Sequence, residues 1–214
     1  MTAEPIAAPS AFDPAPAPLL RSVEERAHVP VVNLPNVLTV ARLLSVPVFA
    51  VLLLGSASNG SSWLIAAWAV FTAACITDVV DGRLARSRGL CTDFGAFADP
   101  IADKALVGTA LVGLSLLGVM PWWVTAVIIG REVAVTALRT AVLRHGVIPA
   151  SRGGKLKAFS QNCAVALYVL PLSGAAATLR VPVLAVAVVA TVATGVDYAL
   201  SARRAARERA LAVA

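Results

Sequence analysis

From Val31 onward, long apolar stretches alternate with short polar breaks. Six stretches stand out, at 36–55, 62–82, 95–119, 122–143, 158–176 and 181–200. Each is near the ~20 residues that an α-helix needs to cross a bilayer. The pattern predicts an all-α integral membrane protein with six transmembrane helices. Residues 1–30 break the pattern: they are rich in Ala and Pro and carry Glu4, Asp13, Glu24 and Glu25. They read as a flexible tail that closes in a short surface helix near Arg21 to His28. They are not expected to be a signal peptide, because no basic segment precedes an apolar run. The predicted layout is a tail at 1–30, a six-helix domain at 31–205 and a cytoplasmic end at 206–214.

Composition agrees with that layout. The 214 residues are 58% hydrophobic and 14% charged, against about a quarter charged in soluble proteins. An ordinary cytosolic enzyme, a disordered chain and a disulfide scaffold are excluded. Cys75, Cys91 and Cys163 have no metal or redox spacing and read as unpaired apolar residues. The net charge of +6 would raise nucleic acid as a partner for a soluble protein. Here the charge follows topology. The breaks at 56–61 and 120–121 hold no Lys or Arg, and the break near 177–181 holds only Arg180. The opposite side collects Arg21, Arg26, Arg83, Arg86, Arg88, Arg144, Arg152, Lys155, Lys157 and the arginines of 203–209. The positive-inside rule then makes both termini cytoplasmic. Anionic headgroups of the bilayer, with no nucleic acid, are the expected contacts. Trp122 and Trp123 open the fourth stretch, where an outer interfacial belt would lie.

Four charges are left over by topology. Asp78 and Asp81 close the second stretch; Asp99 and Asp103 open the third. Carboxylates at membrane depth are costly and mark function by default. Each pair is spaced to share a helix face, and the short loop between the stretches makes the two helices antiparallel neighbours. The four carboxylates can therefore converge just inside the cytoplasmic surface. Unpaired, they would repel or take up protons. Divalent cations would resolve the conflict, and hard oxygen donors favour magnesium or manganese. The competing structural role is pairing with Arg83, Arg86, Arg88 and Lys104; four acids at these spacings weigh against it. Gly82, Ala85 and Gly95 leave room for close approach, and Arg86 offers a planar fork suited to phosphate.

The composite Asp78-x2-Asp81-Gly82-x2-Ala85-Arg86-x8-Gly95-x3-Asp99-x3-Asp103 fixes eight positions across 26 residues. It resembles the signature of the CDP-alcohol phosphotransferase family. The resemblance implies a six-helix membrane enzyme, usually a homodimer, that uses two Mg2+ or Mn2+ ions. Such an enzyme transfers a phosphoalcohol or phosphatidyl group from a CDP-linked donor to an alcohol. It further implies that Asp78, Asp81, Asp99 and Asp103 bind the metals and that Asp103 is also the general base. Gly82, Ala85 and Arg86 would line the cytidine diphosphate pocket, with Thr92 a further candidate. This chemistry suits the residues: two ions clamp attacking and leaving oxygens, and an alcohol nucleophile needs a nearby base.

Other segments bear on the substrates. The first stretch opens Asn33-Leu34-Pro35-Asn36-Val37-Leu38-Thr39, with Arg42 one turn on. Asn36 and Thr39 face the same way, and both helix capping and contact with the CDP-diacylglycerol nucleotide stay open for them. Arg131 and Glu132 sit midway through the fourth stretch and can pair with each other; Arg139 follows two turns later. The segment 149–157 is basic and contains glycine, without P-loop spacing. A pocket of Arg131, Arg139, Lys155 and Lys157 would suit an acceptor that itself carries phosphate.

With Asp99-Pro100-x-Ala102-Asp103-Lys104 and Gly154-Lys155-x-Lys157, these segments resemble the phosphatidylglycerophosphate synthase branch of the family. That implies CDP-diacylglycerol and sn-glycerol 3-phosphate as substrates, at the cytosolic face of the cell membrane. Inositol phosphate and phosphatidylglycerol stay open as acceptors. Ala158 departs from the threonine frequent in that branch. A metal transporter and a non-catalytic scaffold fit less well, because the acids cluster at one membrane edge. Lys104 is expected to balance the aspartates, and Gln161 and Asn162 to hydrogen-bond between helices.

Overall fold

The computed structural model describes residues 33–90, 92–143 and 153–213, with side chains described except at Arg86 and at 139–143, 153–155 and 205–213. The described residues form six α-helices: α1 (Leu34–Asn59), α2 (Ser61–Ser87), α3 (Asp93–Leu116), α4 (Trp122–Leu143), α5 (Gly153–Val169) and α6 (Arg180–Val213). A 3-10 turn, Gly174–Leu179, precedes α6. The tail at 1–30 lies outside the described residues.

Local chemistry sets the ends. Asn33 caps α1, accepting from the Asn36 backbone N–H at 3.0 Å, and Pro35 occupies the first turn. Thr92 caps α3 by accepting from the Gly95 N–H at 3.1 Å, with Asp93 in the first turn. Gly60 alone joins α1 to α2, with φ of 81°, a conformation that favours glycine. The fifth stretch was expected to run to 176, but α5 ends at Val169. Pro171 follows after Leu170, and Arg180 caps the freed end. Its Nε donates to Leu167 O at 3.0 Å and its Nη2 to Leu170 O at 2.6 Å. Arg180 is thus the one cation near the 177–181 break for a structural reason.

By length and composition, three stretches can cross a membrane: Leu34–Asn59, Ser61–Ala85 and Gly174–Arg204. The other three helices fall short for definite reasons. α3 carries Asp99, Asp103 and Lys104, α4 carries Arg131, Glu132 and Arg139, and the described part of α5 has 17 residues. The charges that make α3 and α4 less apolar are the ones the sequence marked as candidate chemistry. The outer faces are greasy, with Leu44, Val51, Val181 and Val189 more than 60% exposed, as a lipid-facing surface would be.

Packing centres on α1, which lies against α2 and α3; α5 pairs with α6, and α2, α3 and α4 complete the bundle. Phe49 and Phe71 meet with ring centroids 5.6 Å apart, and Leu53, Leu106, Leu111, Leu114 and Ile128 fill the core around them. A Cβ at Gly113 would stand 2.6 Å from Leu53 Cδ2, so glycine there lets α3 approach α1. Because successive helices run up and down, the start of α1, the end of α2 and the start of α3 gather at one end.

Candidate active site

One face of α1 organises that end. Asn36, Thr39 and Arg42 recur one turn apart, and all three are buried. Each reaches a different partner. The Asn36 Nδ2 donates to Thr92 Oγ1 at 2.8 Å, tying α1 to the cap of α3. The Thr39 hydroxyl donates to Asp99 Oδ1 at 2.6 Å. The Arg42 guanidinium forks between two carboxylates of α2, with Nη1 donating to Asp78 Oδ1 and Nη2 to Asp81 Oδ2. Capping itself falls to Asn33, which also donates from Nδ2 to Leu90 O at 3.2 Å.

The fork is the main departure from the sequence expectation. Asp78 and Asp81 are not left unpaired: Arg42, from α1, pairs with both. The reason is burial: the Asp81 side chain is 3% exposed and that of Arg42 is 1% exposed. Neither charge is tolerable there alone. An arginine inside an apolar stretch was a visible signal of function, but its target lay 36 residues away in sequence.

Two further aspartates join the cluster at longer range. Asp81 lies within electrostatic reach of Asp78 and Asp99, and Asp103 within reach of Asp78, Arg42, Lys157 and Glu132. Among the described residues no group of three or more His, Cys, Asp or Glu closes into a metal cage. Gly82 and Ala85 follow on α2, both half-buried. The side chains of Arg86, Arg139 and Lys155 lie outside the described residues. Gly95 is buried under Asn36: a Cβ there would stand 2.8 Å from Asn36 Oδ1. Gly95→Ala is therefore expected to displace Asn36 from Thr92 and to destabilise the fold by about 1–3 kcal/mol. Thermal unfolding in detergent checks this, and an unchanged midpoint would refute the tight contact.

Beyond Asp103 opens a cavity of about 500 Å³ between α3, α4 and α5. Its polar lining comprises Asp103, Lys104, Glu132, Thr136, Lys157, Gln161 and Asn162. Glu132 Oε1 accepts from Lys157 Nζ and, at 2.9 Å, from Arg131 Nη1. Arg131 does not line the cavity: its Nη2 donates to Thr194 Oγ1 on α6 at 2.9 Å, and its stem lies against Gly195. The adjacent Glu132 turns inward and holds Arg131 beside it. Lys104 does not turn to the aspartates either; its Nζ donates to Thr136 Oγ1 on α4 at 2.6 Å. Asp103 thus stands between the carboxylate cluster on one side and a cavity with two lysines on the other.

Comparison with known proteins bears on this arrangement. A sequence model of the CDP-alcohol phosphatidyltransferase family matches residues 32–194. The chain is 56% identical over 174 residues to a probable phosphatidylglycerophosphate synthase of Mycobacterium tuberculosis H37Rv, covering 81% of the chain and 83% of that relative. It is 38% identical over 179 residues to the CDP-diacylglycerol–glycerol-3-phosphate 3-phosphatidyltransferase of Bacillus subtilis, covering 78% and 93%. An enzyme of the same name from Rickettsia typhi is 38% identical over 143 residues, covering 66% and 79%.

Proposed function

The chain belongs to the CDP-alcohol phosphatidyltransferase family, and on that premise we infer that it is a transferase of phospholipid synthesis. It transfers the phosphatidyl group of CDP-diacylglycerol to sn-glycerol 3-phosphate, giving phosphatidylglycerol phosphate and CMP. Its apolar helices make it a membrane protein. The proposal adds that all six helices cross the cell membrane with both termini and the site facing the cytosol. It also adds that the enzyme works as a homodimer, as its signature's resemblance implies.

The observation that carries the site assignment is the fork of Arg42 between Asp78 and Asp81, beside Thr39 on Asp99. It gathers carboxylates from two helices at one end of the bundle, where a cation would be favoured. The donor set fits a metal as well: every candidate ligand is a hard carboxylate oxygen. Asp78, Asp81, Asp99 and Asp103 would hold two Mg2+ or Mn2+ ions, which would neutralise the diphosphate of the donor. Asn36, Thr39, Gly82, Ala85, Arg86 and Thr92 would bind CDP-diacylglycerol. The small residues at 82 and 85 leave space for the diphosphate on that face of α2.

Asp103 is proposed to take the proton of the acceptor hydroxyl. The freed oxygen attacks the phosphorus that bears the diacylglyceryl group. The bond from that phosphorus to the bridging oxygen breaks, and CMP leaves with the electron pair. Lys157, with Lys155 and Arg139, would hold the acceptor phosphate, while Glu132 fixes Lys157 at the cavity wall. Arg131 acts behind them by orienting Glu132.

Mass spectrometry of the lipid extract tests the transfer directly, since phosphatidylglycerol phosphate must appear in step with CMP. Chelation tests the cation requirement. Stripping divalent ions is expected to bring transfer to background, with recovery on adding Mg2+ or Mn2+. Full activity in excess chelator would refute the metal site.

A further inference from the structure

We propose that Lys104, positioned by Thr136, is a further phosphate-binding group for the acceptor, acting beside Lys157, Lys155 and Arg139; it rests on the transfer reaction above. Four charged groups line the cavity: Asp103, Lys104, Glu132 and Lys157. Lys157 is committed to Glu132. Arg131 is committed to Glu132 and Thr194 and lies outside the cavity wall. Lys104 is the cavity-lining cation with no carboxylate partner among the described residues; its hydrogen bond goes to the Thr136 hydroxyl at 2.6 Å. It is exposed, so an incoming anion reaches it without breaking an ion pair.

The placement suits the chemistry. Asp103 and Lys104 both line this cavity, so a short phosphoalcohol bound there would meet a base and a cation. An ammonium with three donors can keep its bond to Thr136 and still donate to phosphate oxygens. The Thr136 hydroxyl accepts from Lys104 and donates to Glu132 O at 2.7 Å, so it fixes the ammonium at the cavity wall. Placing the acceptor phosphate on Lys104 leaves the hydroxyl end of the same molecule to reach Asp103. Lys104 also borders a second, mostly apolar groove of about 420 Å³ between α1 and α3. A lipid headgroup entering from there would offer the same phosphate chemistry, so the test separates the two sources.

The experiment is steady-state kinetics of the full-length enzyme with Lys104→Met, Lys104→Arg and Thr136→Val. It is run in neutral detergent without anionic lipid and again in nanodiscs containing phosphatidylglycerol. Losing a charge-assisted hydrogen bond predicts a rise in KM for glycerol 3-phosphate of roughly ten- to hundredfold for Lys104→Met. The KM for CDP-diacylglycerol should stay within about twofold, since that side of the site is intact. Lys104→Arg should recover most of the loss, and Thr136→Val should give a smaller rise of the same kind. An unchanged acceptor KM, or a rise confined to the donor, would overturn the assignment. So would a loss seen only in phosphatidylglycerol nanodiscs, which would move Lys104 to a lipid headgroup. If Lys104→Met does not fold, Thr136→Val and Lys104→Arg decide by the same KM split. A wild-type enzyme that ignores glycerol 3-phosphate would overturn the transfer reading instead. Inorganic phosphate binding, followed by phosphorus NMR line broadening, then decides for Lys104: loss of broadening in Lys104→Met supports the assignment, and its persistence refutes it.

Discussion

Replacing Arg42 with methionine is expected to destabilise the protein by about 3–5 kcal/mol, the cost of leaving a buried charge without its partner. The guanidinium serves two carboxylates at once, and its side chain is 1% exposed. The two losses are unequal. Asp81 is 3% exposed and would be stranded, whereas Asp78 is 41% exposed and is partly screened by its surroundings. The change would also sever a polar tie between α1 and α2. Arg42→Lys should fall between wild type and Arg42→Met, because an ammonium cannot fork to both acids in the same geometry. Asp81→Asn should be more damaging than Asp78→Asn for the burial reason given. Thermal unfolding in detergent ranks all four variants. An Arg42→Met protein that melts with wild type would mean that the fork contributes nothing to the fold.

Asp103→Asn is expected to lower kcat by about 10²–10⁴, the usual contribution of a positioned base, with donor binding largely kept. The asymmetry follows from position. Asp81 sits within the Arg42 fork on the donor side, whereas Asp103 lines the cavity that faces the acceptor. Asp81→Asn should therefore weaken CDP-diacylglycerol binding more than Asp103→Asn does. The comparison is made at saturating divalent ion, so that weakened metal binding does not stand in for a lost base. Equal loss of donor binding in both variants would remove the separate role of Asp103.

Much of this was legible in the sequence because it was local. The alternation of apolar stretches and polar breaks located all six helices, whereas the capping left open for Asn36 and Thr39 falls to Asn33, and Thr92 caps α3. The spacing of Asp78 with Asp81, and of Asp99 with Asp103, put each pair on one helix face. The Arg131–Glu132 pairing expected from adjacency is present at 2.9 Å. What escaped was set by contacts between distant segments. Arg42 was noted only as a neighbour of Asn36 and Thr39, because nothing local says that an arginine on α1 will meet aspartates on α2. Lys104 was assigned to its sequence neighbours, but its long stem carries the ammonium across to α4. Arg131 and Glu132 sit side by side, and periodicity does not decide which one faces the cavity; Thr194 and Gly195 on α6 do. The early end of α5 was readable from Pro171, and the apolar residues around it hid the signal.

The central claim is that the carboxylate cluster and the lysine-lined cavity together move a phosphatidyl group onto glycerol 3-phosphate. The most direct measurement is CMP release by the purified protein with CDP-diacylglycerol and Mg2+, offering glycerol 3-phosphate, inositol 1-phosphate and phosphatidylglycerol separately. Release that depends on glycerol 3-phosphate is the predicted result. Release with none of the three, from folded protein that still binds the divalent ion, would contradict it.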